Sequence, residues 1–303
     1  MNATDLSSAF SNSLSLASIL VLAALGLAIT FGVMRVINMA HGDFMMLGAY
    51  TALIMTDERY LGLNLFAAIP ASFLVVAFIG FLLETTVIRF LYGRPLDSLL
   101  ATWGVGMILQ QIINLSFGAN LQPMHLPEVL EKGTRLWGKA GSADEVVIGR
   151  YRIFIVGVTL LCLLAVYLWF FRTSFGLKIR AVVQNRQMAS ALGISTRRVD
   201  SLTFAFASGL AGVAGCILAH LYNVKYNMGA DYIVETFMVV ILGDMGHLPG
   251  SVGAGAIIGT GDSVVEKILG NTSLAKVVVL LLVIVFIQIR PSGLFVSKER
   301  SYE

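Results

Sequence analysis

The segment "LSLASILVLAALGLAITFGVM" (residues 14–34) contains no charged side chain. A helix needs about 20 apolar residues to cross a bilayer, and this segment is long enough to do so. Three further stretches reach or approach that length, at residues 65–83, 153–171 and 273–289. Only 13% of the 303 residues are charged and 57% are hydrophobic, whereas soluble domains carry about 25% charged residues. The sequence therefore predicts an all-α, polytopic integral membrane protein, with residues 1–303 forming one transmembrane domain.

Apolar runs separated by glycine, proline and polar residues predict about nine membrane segments, with eight and ten as alternatives. They lie at residues 13–34, 38–56, 63–89, 96–116, 152–172, 201–222, 231–247, 251–269 and 272–290. The second, seventh and eighth segments are short, rich in glycine or interrupted by polar residues. Such segments indicate either close packing through small side chains or broken helices whose backbone lines a solute path.

The polar interval "GLKIRAVVQNRQMASALGISTRRVD" (residues 176–200) separates two of these segments. Basic residues between positions 172 and 199 face no acidic residue, so the positive-inside rule places the whole basic loop, residues 173–200, in the cytoplasm. Counting spans from this loop places the loop at residues 117–151 outside. The same count predicts an external N-terminus and a cytoplasmic C-terminus. Because basic residues gather at span ends, no nucleic-acid partner is expected.

Residues 178–192 of the basic loop contain good helix formers and neither proline nor glycine, which predicts one short helix. Gly193 follows at the position where a helix commonly ends in the left-handed conformation, and Ser195 or Thr196 can cap the next helix. One side of the helix carries small residues and Met, and the other carries Arg and Gln. This composition favours docking into a groove of a partner protein over lying on lipid headgroups, which usually requires large apolar anchors.

Polar side chains inside membrane segments are rare and are candidates for function. Arg35, Asn38, His41 and Asp43 cluster between the first two segments. One interpretation is a simple helix end, at which Asp43 pairs with Arg35 or His41. The other is a broken helix whose Asn38 and His41 offer hydrogen-bond donors and acceptors to a polar solute.

Thr102, Gly106 and Gln110 follow one another at four-residue steps and therefore share one face of a helix. The stripe suits either packing between helices or a path for an uncharged solute. The candidate path residues are Asn38, His41, Thr102 and Gln110.

The remaining ionisable groups have local explanations. Glu84 lies five residues before Arg89, which favours pairing or snorkelling towards the membrane surface. Asp244 and His247 share a face if their segment is helical, where they would form a hydrogen bond. The histidines and cysteines show no metal-ligand spacing, and the chain has no phosphate-binding loop. The sequence therefore predicts neither a metal site nor an enzyme.

Two similar segments, "NMAHGDF" (residues 38–44) and "NMGADY" (residues 227–232), each precede a short hydrophobic run. Internal repeats are common in transporters, whose solute site lies at the interface between the repeats. The offset between the two segments differs by one residue, so both a repeat and a chance similarity are open.

Several segments resemble the permease subunits of ABC importers of the branched-chain amino acid and urea class. They are "INMAHGDFMMLGAY" (37–50), "RAVVQNRQMASALGI" (180–194), "GDMGHLPGSVGAGAIIG" (243–259) and "IRPSGLF" (289–295). Three others are most similar to the urea permease subunit of that class. These are "ATWGVGMILQQ" (101–111), "QNRQMASALGISTRRVDSLTF" (184–204) and "ETFMVVILG" (235–243). Asp244 departs from the glycine, and Tyr226 from the proline, that are usual at these positions.

The resemblance implies a transport subunit in the inner membrane of a prokaryote that binds no cofactor itself. A second related permease subunit would complete the pathway, two cytoplasmic ATPase subunits would hydrolyse ATP, and an external solute-binding protein would deliver the cargo. Residues 180–193 would form the coupling helix. Its expected coupling residues are Arg180, Ala181, Gln184, Asn185, Met188, Ala189 and Gly193.

The predicted function is ATP-driven import of urea by alternating access. Import of branched-chain amino acids or short amides is the alternative within the same class. A passive channel or an ion-coupled carrier, in which residues 176–200 form only a surface loop, is the alternative from another class.

Overall fold

The computed structural model describes residues 3–124, 126–131, 133–137, 146–290 and 293–294. Its helices are α1 (Ala3–Met34), α2 (His41–Thr56), α3 (Leu65–Thr86), α4 (Pro95–Phe117), α5 (Glu128–Glu131), α6 (Arg150–Arg172), α7 (Ser174–Gln184), α8 (Arg186–Ala191), α9 (Thr196–Ala219), α10 (Met228–Leu242), α11 (Leu248–Leu269) and α12 (Thr272–Ile289). A short 3-10 helix, Ile88–Phe90, follows α3, and strands β1 (Gly133–Trp137) and β2 (Val146–Gly149) form an antiparallel hairpin.

Six of the described helices are long and apolar enough to cross a membrane. These are α1 from Ser11, α3 with its 3-10 extension, α4, α6, α9 and α12. Together with α2, α10 and α11 they match the nine predicted segments, so the prediction of a polytopic, all-α membrane protein is confirmed. Parts of the predicted external loop, at residues 125, 132 and 138–145, lie outside the described residues. So do positions 291, 292 and 295 of the C-terminal motif.

The centre of the bundle is formed by α1 and α9, whose most apolar windows are 83% and 89% buried. The corresponding windows of α4, α6 and α12 are only 17–22% buried, so these helices present apolar side chains outwards. A helix that is hydrophobic all round belongs in a core or in a membrane. Helices α2 and α3 pack on α9, and α11 packs along α1.

Small residues allow α9 to approach its neighbours closely. A Cβ atom placed on Gly215 would lie 1.8 Å from the carbonyl oxygen of Met45 in α2. Such backbone-to-backbone contact is typical of membrane helices, which associate through packing and not through exclusion of water. Helices α9 and α2 therefore form a tightly fitted pair.

The chain between α1 and α2 turns back into the bundle. Residues 35–40 are not helical, and Arg35 has a φ of 53°. The first residue of α2, His41, places its Nε2 atom 2.9 Å from the carbonyl oxygen of Ala23. Ala23 lies about three turns, or roughly 16 Å, before the end of α1. Helix α2 thus begins beside the middle of α1, as expected for a broken membrane helix.

A second break, at residues 243–247, separates α10 from α11. Asp244 and Gly246 have φ values of 68° and 92°. The backbone at Gly246 touches the end of α1, since a Cβ atom on Gly32 would lie 2.9 Å from the Gly246 Cα. The predicted pairing of Asp244 with His247 assumed a helical segment, but these residues form a turn in which the His247 backbone N–H donates to the Asp244 carbonyl at 2.8 Å.

The basic loop contains two helices where one was predicted. Asn185 separates α7 from α8 with an extended backbone (φ −153°, ψ 102°), and its side chain accepts a hydrogen bond from the Met188 backbone N–H at 2.9 Å. The predicted single helix at residues 178–192 is therefore wrong, because Asn185 ends one helix and caps the next. Gly193 has the expected left-handed conformation, with a φ of 85°.

We expect the orientation with an external N-terminus to be measurable with single cysteines. The two native thiols, Cys162 and Cys216, are free and buried, so replacing both by alanine gives a clean background. Glu58→Cys, in the exposed α2–α3 loop, should react with a membrane-impermeant maleimide in spheroplasts. Gln187→Cys, on α8, should react only after the membrane is permeabilised. The reverse labelling pattern would show the opposite orientation.

Candidate solute site and coupling loop

The break between α1 and α2 faces the polar stripe of α4. The Met39 backbone N–H donates to the Thr102 hydroxyl at 3.0 Å, and the Gln110 side-chain amide donates to an Asp43 carboxylate oxygen at 2.7 Å. The structure therefore brings Thr102 and Gln110 of α4 against the segment 38–43, which carries the other two candidate path residues, Asn38 and His41.

The position of Gly106 depends on its lack of a side chain. A Cβ atom there would lie 2.1 Å from Oδ2 of Asp43. Asp43 was expected to pair with Arg35 or His41, but its described partner is Gln110 in α4. Sequence spacing identifies neighbours along one helix, whereas this partner comes from another helix.

Asn38 and His41 are fully buried, with an exposed fraction of 0% each. The Asn38 Oδ1 atom accepts from the Ala40 backbone N–H at 3.1 Å, while its Nδ2 has no hydrogen-bond partner among the described residues. Because the Ala23 carbonyl can only accept, we assign the proton of His41 to Nε2, which leaves Nδ1 as an acceptor. That atom also has no partner in the described part of the chain.

A buried polar group without a partner is energetically unfavourable, so native structures contain few of them. Here one donor, on Asn38, and one acceptor, on His41, lie close together in sequence at membrane depth. The two atoms are therefore candidate contacts for a small neutral molecule that carries both kinds of group.

Helix α4 makes few contacts where it meets the break. It touches the rest of the protein through few residues, and its buried positions are Ser98, Thr102, Gly106 and Ile113. Its other faces expose large apolar side chains such as Trp103. Helix α4 is therefore loosely attached to the rest of the described chain.

A cavity of about 680 Å³ lies between the second half of α1, helix α7 and the second break. Its lining includes Ile29, Gly32, Arg180, Gln184 and Gly246. The cavity connects the end of α1 with the basic loop. It is a candidate inner section of the solute path.

The two similar segments noted in the sequence meet in space. A Cβ atom on Gly42 would lie 2.2 Å from the carbonyl oxygen of Gly229, so the first turns of α2 and α10 are in direct contact. This juxtaposition matches the interface between repeats that houses a transporter's solute site.

The predicted coupling residues lie in α7, α8 and the turns that follow them. Met188 is 58% exposed, and Gln184, Asn185 and Gly193 are also exposed. Ala189, in contrast, is buried in the apolar core. Its role is therefore to seat α8 on the body of the protein. The exposed surface of the loop is formed mainly by its neighbours.

Arg180 and Ala181, the other predicted coupling residues, are half-buried and line the cavity. The Arg180 guanidinium donates to the carbonyl oxygen of Phe170 in α6. Arg180 therefore fastens α7 to the end of the preceding span.

Glu84 has partners that the sequence did not indicate. It is 1% exposed, and the Tyr92 hydroxyl donates to its Oε1 at 2.5 Å. The Ser201 hydroxyl of α9 donates to its other oxygen. The expectation that Glu84 pairs with Arg89 or reaches the surface is wrong, because the acid is held inside between α3 and α9.

Arg186 of α8 and Asp200 of α9 form an ion pair beside Glu84. The sequence showed only an excess of basic residues in this loop. No local sequence signal indicates that Arg186 pairs with Asp200, the first acid of the loop. Nor does one indicate that Tyr92 lies against the Arg186 guanidinium.

A family model described as "Branched-chain amino acid transport system / permease component" matches residues 9–287. The chain is 30% identical, over 93% of each chain, to the high-affinity branched-chain amino acid transport system permease protein BraD of Pseudomonas aeruginosa. It is 28% identical to the probable branched-chain amino acid transport permease protein LivH of Methanocaldococcus jannaschii, over 91% of this chain and 88% of that protein.

A weaker similarity is to the high-affinity branched-chain amino acid transport system permease protein LivM of Escherichia coli. The identity is 25%, over 77% of this chain and 58% of that protein. No solved structure matches the chain.

We expect Gly106→Ala to destabilise the protein, because the added methyl group meets the Asp43 carboxylate. Overpacking of this kind costs roughly 1–3 kcal/mol. Gly104→Ala, on the same helix, is the matched control, since a Cβ atom there has no described neighbour within 4 Å. Thermal unfolding of the purified variants checks the difference. Equal melting temperatures for both variants would contradict the contact.

Proposed function

Because the chain belongs to the family of branched-chain amino acid transport system permease components, we propose that it is the membrane subunit of an ATP-driven importer. As a family member with six long apolar helices, it is a multi-pass protein of the prokaryotic inner membrane. It is a transport subunit and not an enzyme.

The exposed basic loop supports the assignment of an ATPase partner. The large apolar side chains of Leu177, Val183, Met188 and Leu192 are between 47% and 76% exposed on α7, α8 and the turn after them. An apolar helical surface at the edge of a membrane protein suits the groove of a soluble subunit. Two cytoplasmic ATPase subunits would bind there on the two permeases of the complex.

A second permease subunit is supported by the similarity to two differently named permease proteins of branched-chain amino acid systems, LivH and LivM. The weakly buried helices α4, α6 and α12 leave outer faces for lipid and for that subunit. An external solute-binding protein would deliver cargo to the opposite side of the membrane from the basic loop.

Transport would proceed by alternating access. In the structure Asn38 and His41 are covered, and the cavity beside α7 lies on the side of the basic loop. Closure of the ATPase pair would move the basic loop and shift the equilibrium between outward-facing and inward-facing arrangements.

Urea is the cargo that the polar groups of the site favour. The potential contacts at the first break are all neutral, namely the side chains of Asn38, His41, Thr102 and Gln110. The Asp43 carboxylate already accepts a hydrogen bond from Gln110. Urea offers N–H donors and one carbonyl acceptor, which complement His41 Nδ1 and Asn38 Nδ2. The resemblance of residues 101–111, 184–204 and 235–243 to the urea permease subunit points to the same cargo.

Branched-chain amino acids are the second candidate cargo, and the names of the related permeases favour them. An amino acid also carries a carboxylate, which requires a cation or a helix N-terminus in its site. The N-terminus of α11 and Arg180 both border the cavity beside α7 and could meet that need.

We expect Met188→Glu to abolish copurification of the ATPase subunits, because a buried carboxylate would face an apolar groove. Tyr60→Glu, an exposed position in the α2–α3 loop predicted to lie on the opposite side, serves as the control and should retain them. Affinity purification through a tag on the ATPase measures the permease recovered. Full recovery of the Met188 variant would show that the ATPase binds elsewhere.

The cargo can be tested by titrating the cognate external binding protein and by uptake into proteoliposomes. We expect ATP-dependent uptake of labelled urea, with no response to leucine, because the site offers neutral donors and acceptors. Tight leucine binding without a urea response would show that the cargo is an amino acid and not urea. Uptake that persists without the ATPase would indicate a passive channel or an ion-coupled carrier.

A further inference from the structure

We infer that the Arg186–Asp200 ion pair is the joint that carries movement of the basic loop into the membrane helices that hold the solute site. This inference rests on the proposed function, since it concerns how ATP hydrolysis drives transport. Arg186 is a positioning residue, because it acts through Asp200 and touches no solute.

The pair joins a helix of the loop to a central membrane helix. Arg186 is the first residue of α8, and Asp200 lies near the start of α9. Both terminal nitrogens of Arg186 donate to the carboxylate, with Nη1 at 3.4 Å from Oδ1 and Nη2 bound to Oδ2. The Asp200 side chain is 0% exposed. A two-pronged pair of this kind fixes orientation as well as distance.

A second helix is tied to the same guanidinium. The Arg186 guanidinium lies 5.2 Å from the centre of the Tyr92 ring, a cation–π contact. Tyr92 donates to Glu84 of α3 at 2.5 Å, and Ser201 of α9 donates to the other Glu84 oxygen. Arg186 thereby contacts α9 directly, through Asp200, and α3 indirectly, through Tyr92 and Glu84.

The other contacts between the loop and the bundle are mainly apolar. Ile179, Val182 and Ala189 are buried beneath α7 and α8. Apolar contacts resist separation but are non-directional, and the hydrogen bond from Arg180 ties α7 to α6 and not to α9. A bidentate ion pair whose carboxylate is buried resists sliding as well, and it can therefore pull as well as push on α9.

Movement of α9 reaches the solute site through tight packing. Gly215 of α9 meets the Met45 carbonyl of α2 without room for a methyl group. Phe204 of α9 also packs edge-on against Phe44, at 5.9 Å between ring centres. Since α2 begins at His41, a displacement of α9 shifts the break that carries the candidate site. Such chains of packed side chains and rigid helices can carry coupling between distant sites.

The experiment uses the complete complex in proteoliposomes, with its ATPase subunits, second permease and external binding protein. It measures labelled urea and labelled leucine taken up per ATP hydrolysed. We expect Arg186→Gln to lower this ratio about tenfold, within the range typical of coupling between sites. ATP hydrolysis and recovery of the ATPase subunits should stay near the wild-type level. Arg198→Gln, an exposed cation of the same loop, is the matched control and should change the ratio less than twofold.

Two further variants test whether the ion pair transmits movement or only stabilises the fold. Arg186→Lys keeps the charge but loses the two-pronged geometry, so it should restore only part of the ratio. Asp200→Asn should behave like Arg186→Gln. The double variant should be no worse than either single variant, because both remove the same connection.

Each outcome decides the matter. A wild-type complex without ATP-dependent uptake overturns the proposed function, and this inference with it. An active wild type with an unchanged uptake ratio in Arg186→Gln overturns the inference alone. If Arg186→Gln and Asp200→Asn both fail to assemble while Arg198→Gln assembles, the pair is structural and the inference is also overturned.

Discussion

The need to pair backbone polar groups inside a membrane governs this fold. Hydrocarbon supplies no hydrogen bonds, so a chain that leaves the helical conformation at membrane depth must find partners within the protein. At the first break, Thr102 accepts from the Met39 backbone and Asn38 accepts from the Ala40 backbone. The polar stripe of α4 exists in part to satisfy that break. The same requirement makes the break a place where polar side chains gather, and hence a natural site for a polar solute.

The membrane segments could be predicted from the sequence because they depend on length and hydrophobicity alone. All nine predicted segments correspond to helices, and the short ones at residues 38–56 and 231–247 are indeed bordered by breaks. The glycine-rich residues 243–255 combine the two structures predicted for such an interval, close helix packing and a broken helix. Gly243 and Gly250 pack closely while the chain between them leaves the helical path.

The partners of individual polar groups could not be predicted, because they come from other helices. Asp43 binds Gln110, more than sixty positions away, and Glu84 binds Ser201, more than a hundred positions away. The split of the basic loop at Asn185 was also missed. Helix propensity favours continuation there, but a side chain that caps the following turn competes with it. Thr102 and Gln110 do contact the segment that carries Asn38 and His41, since the four-residue steps along α4 turn that face towards the break.

Burial of Asn38 and His41 has a consequence for the cell as well as for transport. An open polar pathway across the inner membrane would let protons and other ions through and dissipate the gradients on which the cell depends. Both side chains are fully buried, so neither is accessible to water in the described structure. A permease that keeps its polar groups buried in this way between turnovers would avoid such a leak.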